Sequence, residues 1–387
     1  MREQNTVSCW TEQEIRHQPQ MWLETASAIV AIRKQIDAFL TPLLSKSGMR
    51  VILTGAGSSA FIGDSLAPIL ARLLKVPVSS VSTTDIVSDP AGFLPSYCPL
   101  LLVSFARSGS SPESIAALTV ADQRNPDCHH LLVTCNPKGE LYQRYQGRQN
   151  VLALPLPDKT CDRGFAMTSS MTSMLLACLS AFGGEGGSLP AIQALAQSVF
   201  SLIDTQQDLT RSPLQLGGVN RVIWLGSGSL QGIAHECALK LLELTAGKTA
   251  AFYESPVGFR HGPKSLVDKN TQVVVLISND PYTRRYDLDL LAELRKDGVA
   301  ASIVALAGAA APEIEQGDHC YLPAATDFSD GQLAVGFLVY AQIYALSQSL
   351  LLGMTPDNPS PEGRVNRVVE GVNIYPWNES NSPVSEE

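Results

Sequence analysis

One pattern occurs twice in this 387-residue sequence at a fixed distance. Val51-Ile-Leu-Thr-Gly55-Ala-Gly57-Ser58 is matched by Val222-Ile-Trp-Leu-Gly226-Ser-Gly228-Ser229, with Gly55 and Gly226 standing 171 positions apart (226 − 55). Leu131-Leu-Val-Thr is matched by Ser302-Ile-Val-Ala at the same offset of 171, and Val103 falls opposite Val275 at 172. Both halves also finish on a polar-to-apolar helical stretch, Thr168 to Ala181 and Gly331 to Leu352. A constant offset across several elements is hard to obtain by chance. The chain therefore reads as two α/β units of like topology.

Within the first unit, β-rich runs at Arg50–Thr54, Pro77–Val81, Leu100–Ser104, His130–Thr134 and Val151–Leu154 alternate with helical stretches. That alternation predicts a parallel sheet covered on both faces. Thr11-Glu-Gln-Glu14 has capping-box spacing and predicts the start of an N-terminal helix, with a second helix from Met21 to Leu40. Gly183-Gly-Glu-Gly-Gly187 marks the hinge between units, followed by a helical run from Pro190 to Asp208. The expected division is N-terminal helices over 1–44, a first domain over 45–212, a second over 213–354 and a tail over 355–387. The polar end, 378–387, is expected to lack regular structure.

With 45% apolar and 17% charged residues, the chain has material for a large core. The balance of 28 Lys+Arg against 37 Asp+Glu, a net charge of −9, argues against a nucleic-acid partner. No apolar segment follows Met1, so no secretory signal is expected, and no apolar run is long enough to predict a membrane span. The stretch Leu333–Leu352, broken by Gln342, Ser347 and Gln348, reads as a core helix. Eight scattered cysteines without a Cys-x-x-Cys pair suit a reducing cytoplasm. Cys128, His129, His130 and Cys135 lack a second correctly spaced pair, so no metal site is predicted.

Each unit opens on a strand running into Gly-x-Gly-Ser at a helix start, where backbone N–H groups can face an anion. Gly55-Ala-Gly57-Ser-Ser-Ala60 also satisfies the dinucleotide pattern, which keeps a nicotinamide enzyme under consideration. No acid ends the next strand before Asp85, and Glu254 lies 28 residues past Gly226 against a usual interval of about 20. A tight turn that binds nothing is the other alternative. The next predicted strand separates these readings, because it ends in Arg107-Ser108-Gly109-Ser110-Ser111-Pro112-Glu113-Ser114. An arginine, hydroxyls and a glycine at a strand end suit a tetrahedral phosphate, whereas a helix cap would need a single hydroxyl. Gly57, Ser58 and Ser59 can converge on the same crevice, with Thr168-Ser169-Ser170 a third contributor. Ser278-Asn-Asp280 replaces the loop in the second unit, so one sugar-phosphate site per chain is expected.

In the second unit, Glu236, Lys240 and Glu243 share one face of a predicted helix. A solvated stripe with a supporting ion pair and a positioned carboxylate suited to proton shuttling both fit that spacing. His261, in Gly258-Phe-Arg-His261-Gly262-Pro263-Lys264, stands on a loop and suits an acid–base role.

These motifs resemble the sugar isomerase (SIS) domain family over about residues 45 to 355. Gly57-Ser58-Ser59, Arg107-Ser108-Gly109-x-Ser111, Glu236-x-x-x-Lys240-x-x-Glu243 and His261-Gly-Pro resemble the isomerase half of glucosamine-6-phosphate synthase. Glu254-Ser-Pro-Val-Gly-Phe-Arg-His-Gly-Pro263, Asp357-Asn-Pro-Ser-Pro361 and Val365-Asn-Arg-Val-Val369 are similar to the bacterial tagatose-6-phosphate ketose/aldose isomerase family, also described as galactosamine-6-phosphate deaminase/isomerase.

The resemblance implies an α/β fold of two tandem SIS domains, each a parallel five-stranded sheet with helices on both faces. It makes Ser59, Ser108 and Ser111 phosphate ligands, with Arg107 where the synthase has glutamine. Glu243 takes the place of the carboxylate that moves a proton between C1 and C2, and Lys240 is expected either to hold it ionised or to stabilise the developing oxyanion. His261 takes that of the ring-opening histidine, which enters from the neighbouring subunit. A homodimer or higher homo-oligomer with shared sites is thereby implied, with no metal or organic cofactor. Arg367 corresponds to the synthase's tail lysine, and a serine or methionine near Thr168, such as Ser169, to its loop lysine.

The stretch before Val51 is too short for the synthase's glutaminase domain, and Cys9 is not terminal, so amide-dependent synthesis is not expected. The implied reaction is deamination and isomerisation of a 2-amino-hexose 6-phosphate, most closely galactosamine 6-phosphate. Plain aldose–ketose isomerisation and a non-catalytic sugar-phosphate regulator are the alternatives.

Overall fold

Strands whose residues are apolar on both faces have to be covered twice, and only crossover helices do that for neighbours running the same way. The computed structural model describes residues 9–378 except 207, 210, 215–217, 364 and 370. Its first sheet comprises β1 (Arg50–Thr54), β2 (Val78–Ser80), β3 (Leu100–Ala106), β4 (Cys128–Thr134) and β5 (Val151–Pro155). The second comprises β6 (Arg221–Gly226), β7 (Ala250–Glu254), β8 (Thr271–Leu276), β9 (Ser302–Ala307) and β10 (His319–Tyr321). All pairings are parallel. The orders, β2-β1-β3-β4-β5 and β10-β9-β8-β6-β7, are one topology read from opposite edges. In register, Leu53 lies beside Val103 and Leu225 beside Val275.

Helices α1 (Trp10–Ala31) and α2 (Arg33–Leu44) precede the first sheet. Among and after its strands come α3 (Ser58–Leu74), α4 (Thr83–Ser88), α5 (Pro90–Phe93), α6 (Pro112–Arg124), α7 (Glu140–Tyr145) and α8 (Ser169–Ala181). Helix α9 (Leu189–Thr205) leads to the second sheet, with α10 (Ser229–Leu244), α11 (Pro256–Phe259), α12 (Thr283–Asp297), α13 (Pro312–Glu315) and α14 (Asp330–Leu351).

The two sheets share one core. A single apolar cluster runs from Leu53, Leu66 and Met174 through Val222, Trp224 and Leu241 to Phe337, and two smaller clusters fill the outer faces. Helices α3 and α10 cross within it at Gly232, where a Cβ would stand 2.4 Å from the Ser65 backbone nitrogen. Only glycine permits that approach. Helix α14 is long and apolar enough to cross a membrane, yet its apolar stretch is 94% buried here, against α10 and α9.

The N-terminus departs from expectation. Helix α1 runs unbroken through Met21, and the break falls at Ile32. Pro19, inside α1, removes the donor that Ile15 O would receive, and Gln18 Nε2 supplies one at 3.2 Å. Thr11 and Glu14 do not form a capping box, since Cys9 is the N-cap residue. Instead Asp357, from the tail, caps the helix by accepting from Trp10 N (2.8 Å), Thr11 N (2.9 Å) and Thr11 Oγ1 (2.8 Å). Glu14 accepts from Arg163 N and Gly164 N. A local motif yields here to partners far along the chain. The polar end at 379–387 lies outside the described residues.

Candidate active site

Connections leave β1 and β3 in opposite directions, which opens a crevice beyond their carboxyl ends. Gly55 makes the first turn possible, because a Cβ there would stand 2.5 Å from the Ser59 carbonyl carbon. Gly57 follows with φ 55°, and no side chain caps the start of α3, where Ser59 N donates to Ala56 O at 3.2 Å and Ala60 N to Gly57 O at 2.8 Å. From β3, the chain passes through Gly109 (φ 63°) to Ser111, the N-cap of α6. Ser111 Oγ is 2.7 Å from Ser114 Oγ and accepts from Ser114 N at 3.4 Å. The capping role and a place in the crevice thus coexist in one residue.

A cleft of about 220 Å³ forms where these turns meet. Gly57, Ser58, Ser59, Arg107, Ser108, Ser111, Glu243 and Arg367 all line it. So do Phe165 and Met167, which the sequence did not name, and Val365, which was quoted only as part of a motif. A larger cavity of about 870 Å³ adjoins it and shares Phe165, Glu243 and Val365. Glu243 therefore borders both spaces, with its side chain 24% exposed.

Lys240 and Glu236 stand behind Glu243, and both are wholly buried, which removes the solvated-stripe alternative. Lys240 Nζ contacts Glu243 Oε2, lies 3.3 Å from Glu236 Oε1 and donates to Ser58 Oγ at 3.0 Å. Burial pushes the Glu236 carboxyl up to about 7, against the lowering influence of Lys240 and Ser58. Burial pulls the Lys240 ammonium down, and the two carboxylates outweigh it, so its pKa lies above the ordinary lysine value.

Thr168 and Ser169 do not reach the cleft. Both are buried at the start of α8, where Thr168 Oγ1 and N, Ser169 N, Ser170 N and Ser170 Oγ all donate to the fully buried Asp162. Asp162 went unremarked in the sequence, where one acid in a loop carries no periodic signal. Its backbone oxygen accepts from Arg367 Nη2, and Arg367 Nε donates to Gly164 O at 3.1 Å. Arg107, 9% exposed, donates through Nη1 to Phe165 O (3.2 Å) and through Nη2 to Arg367 O (2.7 Å). Burial lowers its pKa. The two arginines thus join the tail to the 162–165 loop along one wall of the cleft.

His261 is exposed and does not line the cleft of its own chain. Its loop is firmly seated. Phe259 is fully buried, Arg260 Nε donates to Glu293 at 2.7 Å, and Lys264 pairs with Glu293 and Asp297 of α12.

At the equivalent loop of the second sheet, the chain's own carboxylates take the hydrogen-bond donors. Asp287 accepts from Ser227 Oγ and Ser278 N, while Asp330 accepts from Ser278 Oγ (2.6 Å) and Asn279 N (2.9 Å). Carboxylates occupy the donors that a phosphate would use. Elsewhere, Cys128 and His130 gather with Asp122 within 4.8 Å, without Cys135. His130 Nε2 is 2.7 Å from Asp122 Oδ1, and Arg148 pairs with Asp122 Oδ2, so this group is a polar joint between β4 and α6.

A phosphate-sized cleft at the switch point of a duplicated parallel sheet, bordered by a buried lysine–carboxylate set, defines a sugar-phosphate class of protein. The SIS domain model matches residues 43–183 and 215–352, and the chain belongs to the SIS domain family. D-galactosamine-6-phosphate deaminase AgaS of Escherichia coli is 51% identical over 368 residues, covering 95% of this chain and 96% of that protein. The crystal structure of tagatose-6-phosphate ketose/aldose isomerase from Escherichia coli matches with TM-score 0.91 and 49% identity, covering 96% and 97% of the two chains. The C-terminal domain of glucosamine-fructose-6-phosphate aminotransferase from Francisella tularensis shares the fold, with TM-score 0.75 and 19% identity over 92% and 100%.

Proposed function

We propose that the protein is a cytoplasmic deaminase/isomerase that converts a 2-amino-hexose 6-phosphate, D-galactosamine 6-phosphate foremost, into the ketose 6-phosphate and ammonia. The observation that carries this reading is Glu243, a carboxylate on the border of a serine-lined cleft and paired to a buried lysine. Ser59, Ser108 and Ser111 donate to the phosphate, and the Arg107 guanidinium supplies positive charge from the wall. That contact yields binding energy remote from the reacting carbons. Glu243 takes the C2 proton of the open-chain aldose while the C1 oxygen gains a proton, giving an enolamine. Return of the proton to C1 leaves a C2 imine, and water adds to C2 and expels ammonia. Lys240 pairs with Glu243 and orients it.

Ring opening falls to His261 of a second copy, in a homodimer or higher homo-oligomer. Its exposure and its distance from its own cleft's lining support that arrangement, as do exposed Phe252 and Val257 beside the same loop.

Incubation with galactosamine 6-phosphate is expected to release ammonia and tagatose 6-phosphate in equal amounts. Glu243→Gln is expected to lose about a thousandfold in kcat, within the usual range for a general base. A Glu243→Gln protein with near-parental turnover would overturn the assignment. The name of the Escherichia coli structural relative favours a second reading, aldose–ketose isomerisation without nitrogen loss. Ketose formation from an unaminated aldose 6-phosphate, with no ammonia from the amino sugar, would establish that one instead.

A further inference from the structure

The two Gly-x-Gly-Ser turns have nearly the same backbone, φ 55° and ψ −129° at Gly57 against φ 57° and ψ −122° at Gly228. Their serines differ. Ser229 is 2% exposed and its hydroxyl has no hydrogen-bond partner among the described residues. Ser58 is 4% exposed and receives the Lys240 ammonium at 3.0 Å. The turn therefore forms without a bonded hydroxyl. The contrast traces to the facing helix, since α10 carries Lys240 where α3, 171 positions earlier, carries Ile69.

We propose that Ser58 is a positioning residue for proton transfer, not a phosphate donor. An ammonium has three protons, and Lys240 has three acceptors around it: Ser58 Oγ, Glu236 and Glu243. Together they fix the nitrogen and divide its charge between two carboxylates. The groups acting on Glu236 are Lys240 and Glu243 from its own helix and Ser58 from α3. Neighbouring Ser59 donates to Met167 Sδ at 3.9 Å, a weak acceptor that a ligand oxygen can replace.

Loss of the Ser58 hydroxyl removes one of the three groups that hold the ammonium, and the nitrogen, with the Glu243 carboxylate paired to it, loses its fixed place.

The test is Ser58→Ala beside Glu243→Gln, with steady-state kinetics on galactosamine 6-phosphate. This inference rests on Glu243 as the proton carrier. Ser58→Ala is expected to lower kcat about tenfold and to leave KM within about twofold. A raised KM with unchanged kcat, beside an inactive Glu243→Gln, would make Ser58 a phosphate ligand and overturn the inference alone. An active Glu243→Gln would overturn both readings together.

Discussion

Lys240 is the residue on which the site turns. It has no exposed surface and neutralises a carboxylate, Glu236, that is equally buried. Replacing it with methionine keeps the volume and leaves Glu236 without its counter-ion. Breaking a buried pair in this way costs about 3–5 kcal/mol, so Lys240→Met should show a markedly lower denaturation midpoint in urea. The sign of its pH dependence follows from Glu236. A carboxyl whose folded pKa is raised above 4.5 destabilises the fold where it must ionise, and stability returns as pH falls through the folded value. The Lys240→Met deficit should therefore be larger at about pH 8 than at about pH 6. The spacing of Glu236, Lys240 and Glu243 was visible in the sequence, but burial was not. The same face could have met water, and only the packing of α10 against α3 and α14 decides otherwise.

At the scale of elements, the tail is a structural member. Asp357 caps α1, and Arg367 and Arg107 tie the following segment to the 162–165 loop. Asp357→Ala removes a helix cap worth about 1 kcal/mol, and denaturant titration should register that loss. The variant should also raise KM severalfold with little change in kcat, because Val365 and Arg367 line the cleft. Arg107 and Arg367 were named from the sequence as site residues, but the contacts that tie the tail to α1 and the 162–165 loop were not legible there. Thr11 and Asp357 are 346 positions apart, and Glu14 and Gly164 are 150 apart, so no local window contains both partners. The five strands of the first sheet, by contrast, were placed to within two residues, because an apolar run between polar turns is a local signal.

For the molecule as a whole, the 171-residue offset anticipated two sheets of one topology, and the core they share is its consequence. The same offset could not say how copies of the chain meet. If sites are shared between subunits, His261→Ala and Glu243→Gln proteins should each be nearly inactive alone. Mixed by co-expression, they should recover about a quarter of parental activity, because half the dimers are hybrid and each holds one intact site. No recovery on mixing would place both residues in a single chain's site.

Asp287 and Asp330 give the duplicated architecture an asymmetry in its response to ligand. The second sheet carries its own anion by covalent attachment, at fixed occupancy and whatever the sugar-phosphate concentration. The donors of Ser227 and Ser278 and the Asn279 N–H already have acceptors there, beside the start of α10, on which Glu243 is mounted. On the proposed function, only the first sheet's loops gain partners when substrate arrives, so one half of the chain would be the fixed jaw of a vice and the other would do the gripping.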